Sequence, residues 1–542
     1  MVEKASLVIK NGQIYTVDKL NPWAQALAVN GDKIVYVGAN KGAEKYLDSD
    51  TKVIDAKNRL VLPGFIDCHC HLICGFRELF WIDLSSAKSM EEIKKLVKEY
   101  AEKHPDEPLI AGYGWNYEAV MSDQGLPRKE DLDSVVQERP VWLEDYNGHT
   151  GWANSKFCEL AVASLTEEEL DFVGMERDPE TGEPTGMFVE FLDLHLTDIV
   201  DIERHRLEGL KYAIEKATKL GITSIHDPLV DLEDLETYQQ LRNESALNVR
   251  IYIALYHHKR TTEEDLLKFE EARSRFFDNW IKVGAVKLFI DGVPETHTAA
   301  MLEPYYDDPS STGSTIYTPD EFNKVTARLD KMNFQIITHA IGDRGIRVVL
   351  DAYDKAQKEN RNKNRRHRIE HVEIVTKEDI ARFKQLSVIA CMMPRHASIG
   401  SDVTYNVQPP ATYSAIVGPE KIKLAFPWNS LDKAGAVLAF ASDWTVAEMN
   451  PLLGIHTALN RGGDIYDPRE AISLEKAIEG YTINAAYASF EEDIKGSIEV
   501  GKLADIIILS ENLFEIPANK VKDVDILLTI VGGKEVYRSD KF

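Results

Sequence analysis

The chain has 542 residues, 44% of them hydrophobic, enough for a large barrel with an accessory domain and a sizeable core. Its 89 Asp and Glu outweigh 63 Lys and Arg, a formal charge of −26, which excludes nucleic acid and anionic membrane surfaces as expected partners because both reward clustered basic residues. No stretch approaches the roughly 20 apolar residues that cross a bilayer, and Met1 to Ser6 lead straight into a strand pattern without a signal-peptide signature, so a cytoplasmic protein is expected.

Residues 7–10 and 13–17 flank Asn11-Gly12, and residues 26–29 and 33–37 flank Asn30-Gly31. Both Asn-Gly signals predict hairpins. Eight strand candidates follow, at 60–66, 222–226, 249–255, 285–290, 334–339, 367–371, 387–392 and 436–441, mostly separated by helical patterns. Eight such units predict an α/β protein built on a (β/α)8 TIM-type barrel. The count treats residues 76–205 as an insertion after strand one, with its own strand at 140–145. Were that segment part of the barrel, nine strands would result and the register would fail. The chain ends as it begins, with strands at 505–509, 524–531 and 534–538, the last two split by Gly532-Gly533. The economical reading is a composite β-sandwich from residues 1–60 and 485–542, a barrel over 61–484, and an inserted lid subdomain at 76–205.

Chemistry-bearing residues recur at the C-terminal ends of the predicted barrel strands, where barrels hold their active sites. His69 and His71 follow strand one at i, i+2, a spacing that puts two imidazoles on one face of an extended chain and within reach of one ion. The plain alternative is two loop histidines. His339 ends strand five and His371 ends strand six. Alone, each reads as a satisfied core histidine; on successive strands after a His-x-His, they read as ligands. Asp443 follows strand eight, either as a helix cap or as a ligand that accepts a proton from activated water. Lys287 lies inside strand four among apolar neighbours. An ammonium cannot ligate a cation, so this residue is either a salt-bridge partner or a lysine carboxylated by carbon dioxide into an anionic ligand.

Five cysteines occur, Cys68, Cys70, Cys74, Cys158 and Cys391, an odd number that fits reduced thiols. A zinc knuckle would need a second Cys pair, and alternation turns Cys68 and Cys70 away from the face of His69 and His71. His149, in Gly148-His149-Thr150, falls in the insertion, where it either contacts substrate or its oxyanion from a lid or is an ordinary loop histidine. Trp115 is a further pocket-lining candidate, and Asp291-Gly292 is either a turn or a brace behind the ligands.

The ordered set Pro63-Gly64-Phe65-Ile66-Asp67-Cys68-His69-Cys70-His71, Lys287, Thr338-His339-Ala340, Glu370-His371 and Ser442-Asp443, with Gly501-Lys502-Leu503-Ala504-Asp505 near the end, resembles the amidohydrolase superfamily. Residues 148–155, 182–186, 286–292 and 302–305 narrow the resemblance to its amidohydrolase-3 branch, which includes N-substituted formamide deformylase. The resemblance implies one or two divalent metals, zinc foremost, bound by His69, His71, Lys287, His339, His371 and Asp443, and it raises the case for carboxylated Lys287. Cys68 departs from the small residue that many relatives carry at its position.

The expected function is metal-dependent hydrolysis of a non-peptide carbon–nitrogen bond, amide-like or cyclic, in a small molecule. Asp443 and His371 are the expected catalytic residues, with His149 and Trp115 contacting substrate. An ester or phosphoester hydrolase, an isomerase, or a non-catalytic scaffold are the rival readings on the same barrel. A homodimer is compatible with the chain's size, and no sequence feature marks its interface.

Overall fold

The computed structural model describes residues 4–121, 125–146, 148–190, 194, 196, 199, 200, 202–362, 364–398, 410–461 and 465–542. Its centre is a ring of eight parallel strands: Phe65–Asp67, Ile222–Val230, Arg250–Tyr256, Ile281–Phe289, Gln335–Ala340, Arg368–His371, Ile389–Met392 and Val437–Phe440. They are barrel strands one to eight below. Backbone bonds from Cys68 N to the Phe440 carbonyl and from Asp443 N to the His69 carbonyl tie strand eight back to strand one. Seven of the eight strands fall where the sequence predicts them, and the first does so in part.

Period-two alternation sorts the strand residues. Val286, Leu288 and Ile336 join the large outer core with the surrounding helices, whereas Ala285 and Ile337 pack with Tyr252 and Ala254 in a separate inner cluster. Lys287 and His339 lie two residues further along those inner columns, so they point into the barrel near its C-terminal mouth. The helices between strands start on clear local signals. Pro319–Lys331, for example, is capped by Thr318, whose hydroxyl accepts from Glu321 N while the Glu321 carboxylate returns to the Thr318 backbone.

The predicted first strand, residues 60–66, divides in two. Leu60–Pro63 belongs to the terminal domain and only Phe65–Asp67 to the barrel. The break is at Gly64, where a Cβ would sit 2.2 Å from the Thr223 methyl. Leu60–Pro63 pairs antiparallel with Ile506–Leu509 and parallel with Gln13–Tyr15, which joins the two chain ends in one six-stranded sheet. A four-stranded sheet faces it, and Leu7, Ile9, Leu27, Val61, Ile506 and Leu528 share the core between them. The composite β-sandwich is therefore present.

One predicted hairpin forms and one does not. Ala26–Asn30 and Lys33–Gly38 pair antiparallel around Gly31. Leu7–Lys10 instead pairs with Ala26–Asn30 and Lys52–Asp55, while Gln13–Tyr15 lies in the other sheet. A two-residue type I′ turn needs positive φ at both central residues; here Asn11 has φ 54° and Gly12 does not share it. Asn11 instead donates its amide to Asp55, and Gly12 N donates to the Gln25 carbonyl. The dipeptide thus passes the chain from one sheet to the next.

The insertion is more than a lid with one strand. Between barrel strands one and two lies a six-stranded mixed sheet in the order Met175–Arg177, Pro184–Val189, Thr150–Ala153, Val141–Asp145, Ile110–Trp115 and Ile82–Asp83. It carries a separate apolar cluster on each face. Among the described residues no helix is long and apolar enough to cross a membrane.

Candidate metal centre

His69 and His71 leave strand one side by side. Their Nε2 atoms lie 3.4 Å and 3.1 Å from one oxygen, Asp443 Oδ1. The Asp67 carboxylate fixes the approach, accepting from His69 N at 3.2 Å and Ser442 N at 3.0 Å, and so joins the two chain segments that carry the site. Cys68 turns away toward His226, its Sγ 3.2 Å from Nδ1, and Cys70 is buried in the outer core. Alternation thus disposes of both thiols as expected.

Asp443 Oδ2 faces two further imidazoles, His396 Nε2 at 3.6 Å and His371 Nδ1 at 3.9 Å. Both nitrogens are buried and have no hydrogen-bond partner among the described residues, which is costly in a protein interior and is what metal ligands look like without their ion. The ligand atoms of His69, His71 and Asp443 lie within 4.8 Å of one another, as do those of His371, His396 and Asp443. Two overlapping donor sets thus share one carboxylate. His371 and Asp443 reach these positions with φ of 74° and 59°, left-handed values that non-glycine residues adopt only where the surroundings enforce them.

The electrostatics favour ligands in their metal-ready forms. Burial, and then the nearby Lys287, pull the His69 imidazole down to about 4, so it is neutral at pH 7. Burial likewise drives His371 and His339 well below the ordinary value. Burial raises Asp443, but the His71 hydrogen bond and the surrounding imidazoles outweigh it and hold the carboxyl well below its usual range. A third donor group, His69 with Glu370 and Cys391, is filled by Arg368, whose guanidinium lies 2.8 Å from Glu370 Oε2 and 3.3 Å from Cys391 Sγ. That cation excludes another. Glu370 instead accepts from His69 Nδ1 at 2.6 Å, which leaves Nε2 as the free ligand atom.

His339 and Lys287 line the same cavity without joining either tight donor set. His339 Nε2 donates to the Gly292 carbonyl at 3.2 Å, and its ring centroid lies 4.4 Å from that of His371. Asp291 supports this loop, accepting from Ala300 N, Ile341 N and Gly342 N, so it is a brace rather than a bare turn. Lys287 is 1% exposed, and its Nζ lies 4.6 Å from the Phe289 ring centroid. It makes no ion pair among the described residues, which removes the salt-bridge reading. Burial pushes its ammonium down to about 8.

The cavity above these residues has a volume of about 150 Å³ and is walled by aromatic side chains from both the barrel loops and the insertion. His149 lies on its wall. Its Nδ1 donates to Glu190 Oε2 at 2.6 Å, and Asp145 braces its backbone N–H. Burial lowers His149, but Glu190 more than reverses this and pushes it up to about 9, an imidazolium facing the cavity. Trp115 is a correction. It is fully buried in the insertion's own core, its indole N–H donating to the Leu143 carbonyl, and it is not on the cavity wall. The Gly112–Gly114 backbone beside it is strand rather than loop, so alternation turns the indole inward.

Sequence reading missed His396, Glu370, Arg368 and Glu373. A signal for His396 existed: strand seven was the one unassigned strand with ligand-bearing strands on both sides, and Pro394-Arg395-His396 follows it directly.

A protein-family model described as Amidohydrolase family matches residues 52–537. The Arabidopsis thaliana protein LONG AFTER FAR-RED 3 is 31% identical over 98% of this chain and 92% of its own. N-substituted formamide deformylase of Arthrobacter pascens is 25% identical over 98% of each. Among solved structures, a metal-dependent hydrolase of Pyrococcus horikoshii aligns with a TM-score of 0.75 and 25% identity, covering 94% of this chain and 99% of that one.

Proposed function

The chain belongs to the amidohydrolase family, and from that premise we propose that it hydrolyses a carbon–nitrogen bond in an amide-like or cyclic amide small molecule. The observation that carries this is the convergence of four imidazoles on the two oxygens of Asp443, two of them with orphaned buried nitrogens. That donor chemistry fits a divalent cation, zinc first, held by His69, His71, His371 and Asp443, with His339 and Lys287 completing the set. When bound, such an ion acidifies water and polarises a carbonyl.

The chain's own groups supply the rest. Asp443, anionic and central, takes the proton of the attacking water at a carboxylate oxygen and returns it to the leaving nitrogen. Glu370 keeps His69 in the tautomer that presents Nε2. The His149 imidazolium faces the oxygen that becomes negative as the carbonyl is attacked. Lys287, buried without an ion pair among the described residues, fits a side chain that carries carbon dioxide on Nζ as a carbamate, an anion suited to two ions rather than one. The aromatic cavity suits a small organic substrate.

Zinc-loaded protein, assayed on N-substituted formamides and cyclic amides for amine release, tests this reading. Asp443→Asn should abolish turnover while keeping the fold and most of the metal. Full activity in that variant, or acid release with no carbon–nitrogen cleavage, would sink it.

A further inference from the structure

We propose that Glu295 sets the specificity of this cavity, and that the compound it accepts carries a positive charge, an ammonium or amidinium, away from the bond that reacts. The inference rests on the cavity's being the reaction chamber described above, and it adds the substrate's charge.

The argument is one of unmatched charge. Apart from the groups facing the candidate metal, four kinds of charged partner line the cavity. Arg77 is neutralised by Glu144 at 2.7 Å and donates to Thr445 Oγ1. His149 is neutralised by Glu190. Glu373 accepts from Tyr413 at 2.7 Å and lies 3.2 Å from His396 Nδ1. Glu295 alone has no ion pair and no bond from another residue to its carboxylate among the described residues; its one donor is its own backbone N–H. Glu295 is half-buried, and a carboxylate partly withdrawn from water on a pocket wall without a cationic partner gains most from a complementary ligand.

The position is built rather than incidental. Glu295 sits in the short Pro294–Thr296 turn after strand four, with Pro294 buried before it and His297 in a left-handed cap after it. That turn packs against the helix Pro410–Val417, which carries Tyr413. The walls around it, Val293, Tyr413, Phe426 and Tyr466, are apolar or aromatic. Ring faces of this kind attract cations as well as apolar bodies. In agreement, burial and then the Glu373 carboxylate push the Glu295 carboxyl up to about 7, against the pull of its own backbone N–H. A cationic guest would keep it ionised.

The test is binding, measured calorimetrically on zinc-loaded protein, of benzylammonium and of its neutral counterpart benzyl alcohol. Wild type should prefer the cation by about tenfold or more. Glu295→Gln should lose that preference while binding the alcohol as before, and Glu295→Asp should retain part of it. Absence of cation preference in wild type overturns the proposal, as does a preference that survives in Glu295→Gln, which would assign the cation to Glu373 or the amine to the metal. Because binding is read without turnover, failure to find carbon–nitrogen cleavage would sink the proposed reaction and leave this result standing.

Discussion

His69 Nδ1 donates to Glu370 Oε2 across 2.6 Å, and Arg368 grips the same carboxylate from the other side with Nε to Oε1 at 2.9 Å and Nη2 to Oε2 at 2.8 Å. All three side chains are buried in the barrel beneath the candidate metal. The salt bridge keeps Glu370 ionised well below the usual carboxyl range: burial opposes this, but the guanidinium and the His69 bond prevail. Glu370 therefore orients a ligand without being one. Glu370→Gln should weaken zinc binding about 10–100-fold, measured by competition with a chelator. Unchanged affinity would show that His69 needs no such orientation.

Lys287 gives a prediction in which stability and function part company. Without metal, its ammonium is buried without an ion pair among the described residues, and the attraction of Glu370 and Asp443 does not offset that burial. Lys287→Met removes that burden at similar volume, so the metal-free variant should gain roughly 1–3 kcal/mol, the scale of an unsatisfied buried polar group. The same variant should bind fewer zinc ions, read by elemental analysis after dialysis. A metal-free variant that melts lower than wild type would mean that Lys287 has a favourable partner.

The barrel was legible because eight apolar runs of the right length alternate with capped helices, and because histidines close two successive strands. Gly64 illustrates the limit. Residues 60–66 look like one strand, and only the contact with Thr223 in a neighbouring strand reveals why the chain must change sheets there. The Asn11-Gly12 turn failed for a similar reason, since its partners Asp55 and Gln25 come from elsewhere in the sheets. In the site, spacing and strand position marked the ligand-bearing ends. They could not mark Glu370 or Arg368, whose roles come from a pair contact inside the barrel, nor exclude Trp115, whose direction depends on an insertion strand of six residues.

The His149–Glu190 pair predicts a stability window. The folded His149 value, about 9, lies above the ordinary value of 6.5. The folded state therefore holds a proton that the unfolded state has lost between those values, and stability falls as pH rises through that window. The contribution is complete below pH 6.5 and gone above pH 9. The Glu190 carboxyl, lowered to about 2, sets the acid side: its share is present above its ordinary value of 4.5 and lost as pH falls toward 2. Melting temperatures of wild type and Glu190→Gln should therefore differ most between pH 5 and 6.5 and converge by about pH 9 to 10. A gap that stays constant to pH 10 would mean that His149 is neutral throughout.

Arg250 opens barrel strand three and Asp505 precedes the sandwich strand Ile506–Leu509, so their contact fastens the two units together. The pairing is bidentate, Nε to Oδ2 at 2.7 Å and Nη2 to Oδ1 at 2.9 Å, with both side chains nearly fully buried. Two of the polar atoms bond outside the pair: Nη1 donates to the Asn279 carbonyl, and Gly532 N donates to Asp505 Oδ1. Arg250→Met would leave a buried carboxylate with one backbone donor, which should cost about 3–5 kcal/mol. Replacing both, as Arg250→Met with Asp505→Leu, should cost less than the single change, because no charge is stranded. Trp280 lies under the guanidinium, its ring centroid 4.7 Å away, and urea unfolding followed by circular dichroism compares the variants. A double variant less stable than either single one would mean that the pair contributes net binding energy between barrel and sandwich, beyond satisfying its own charges.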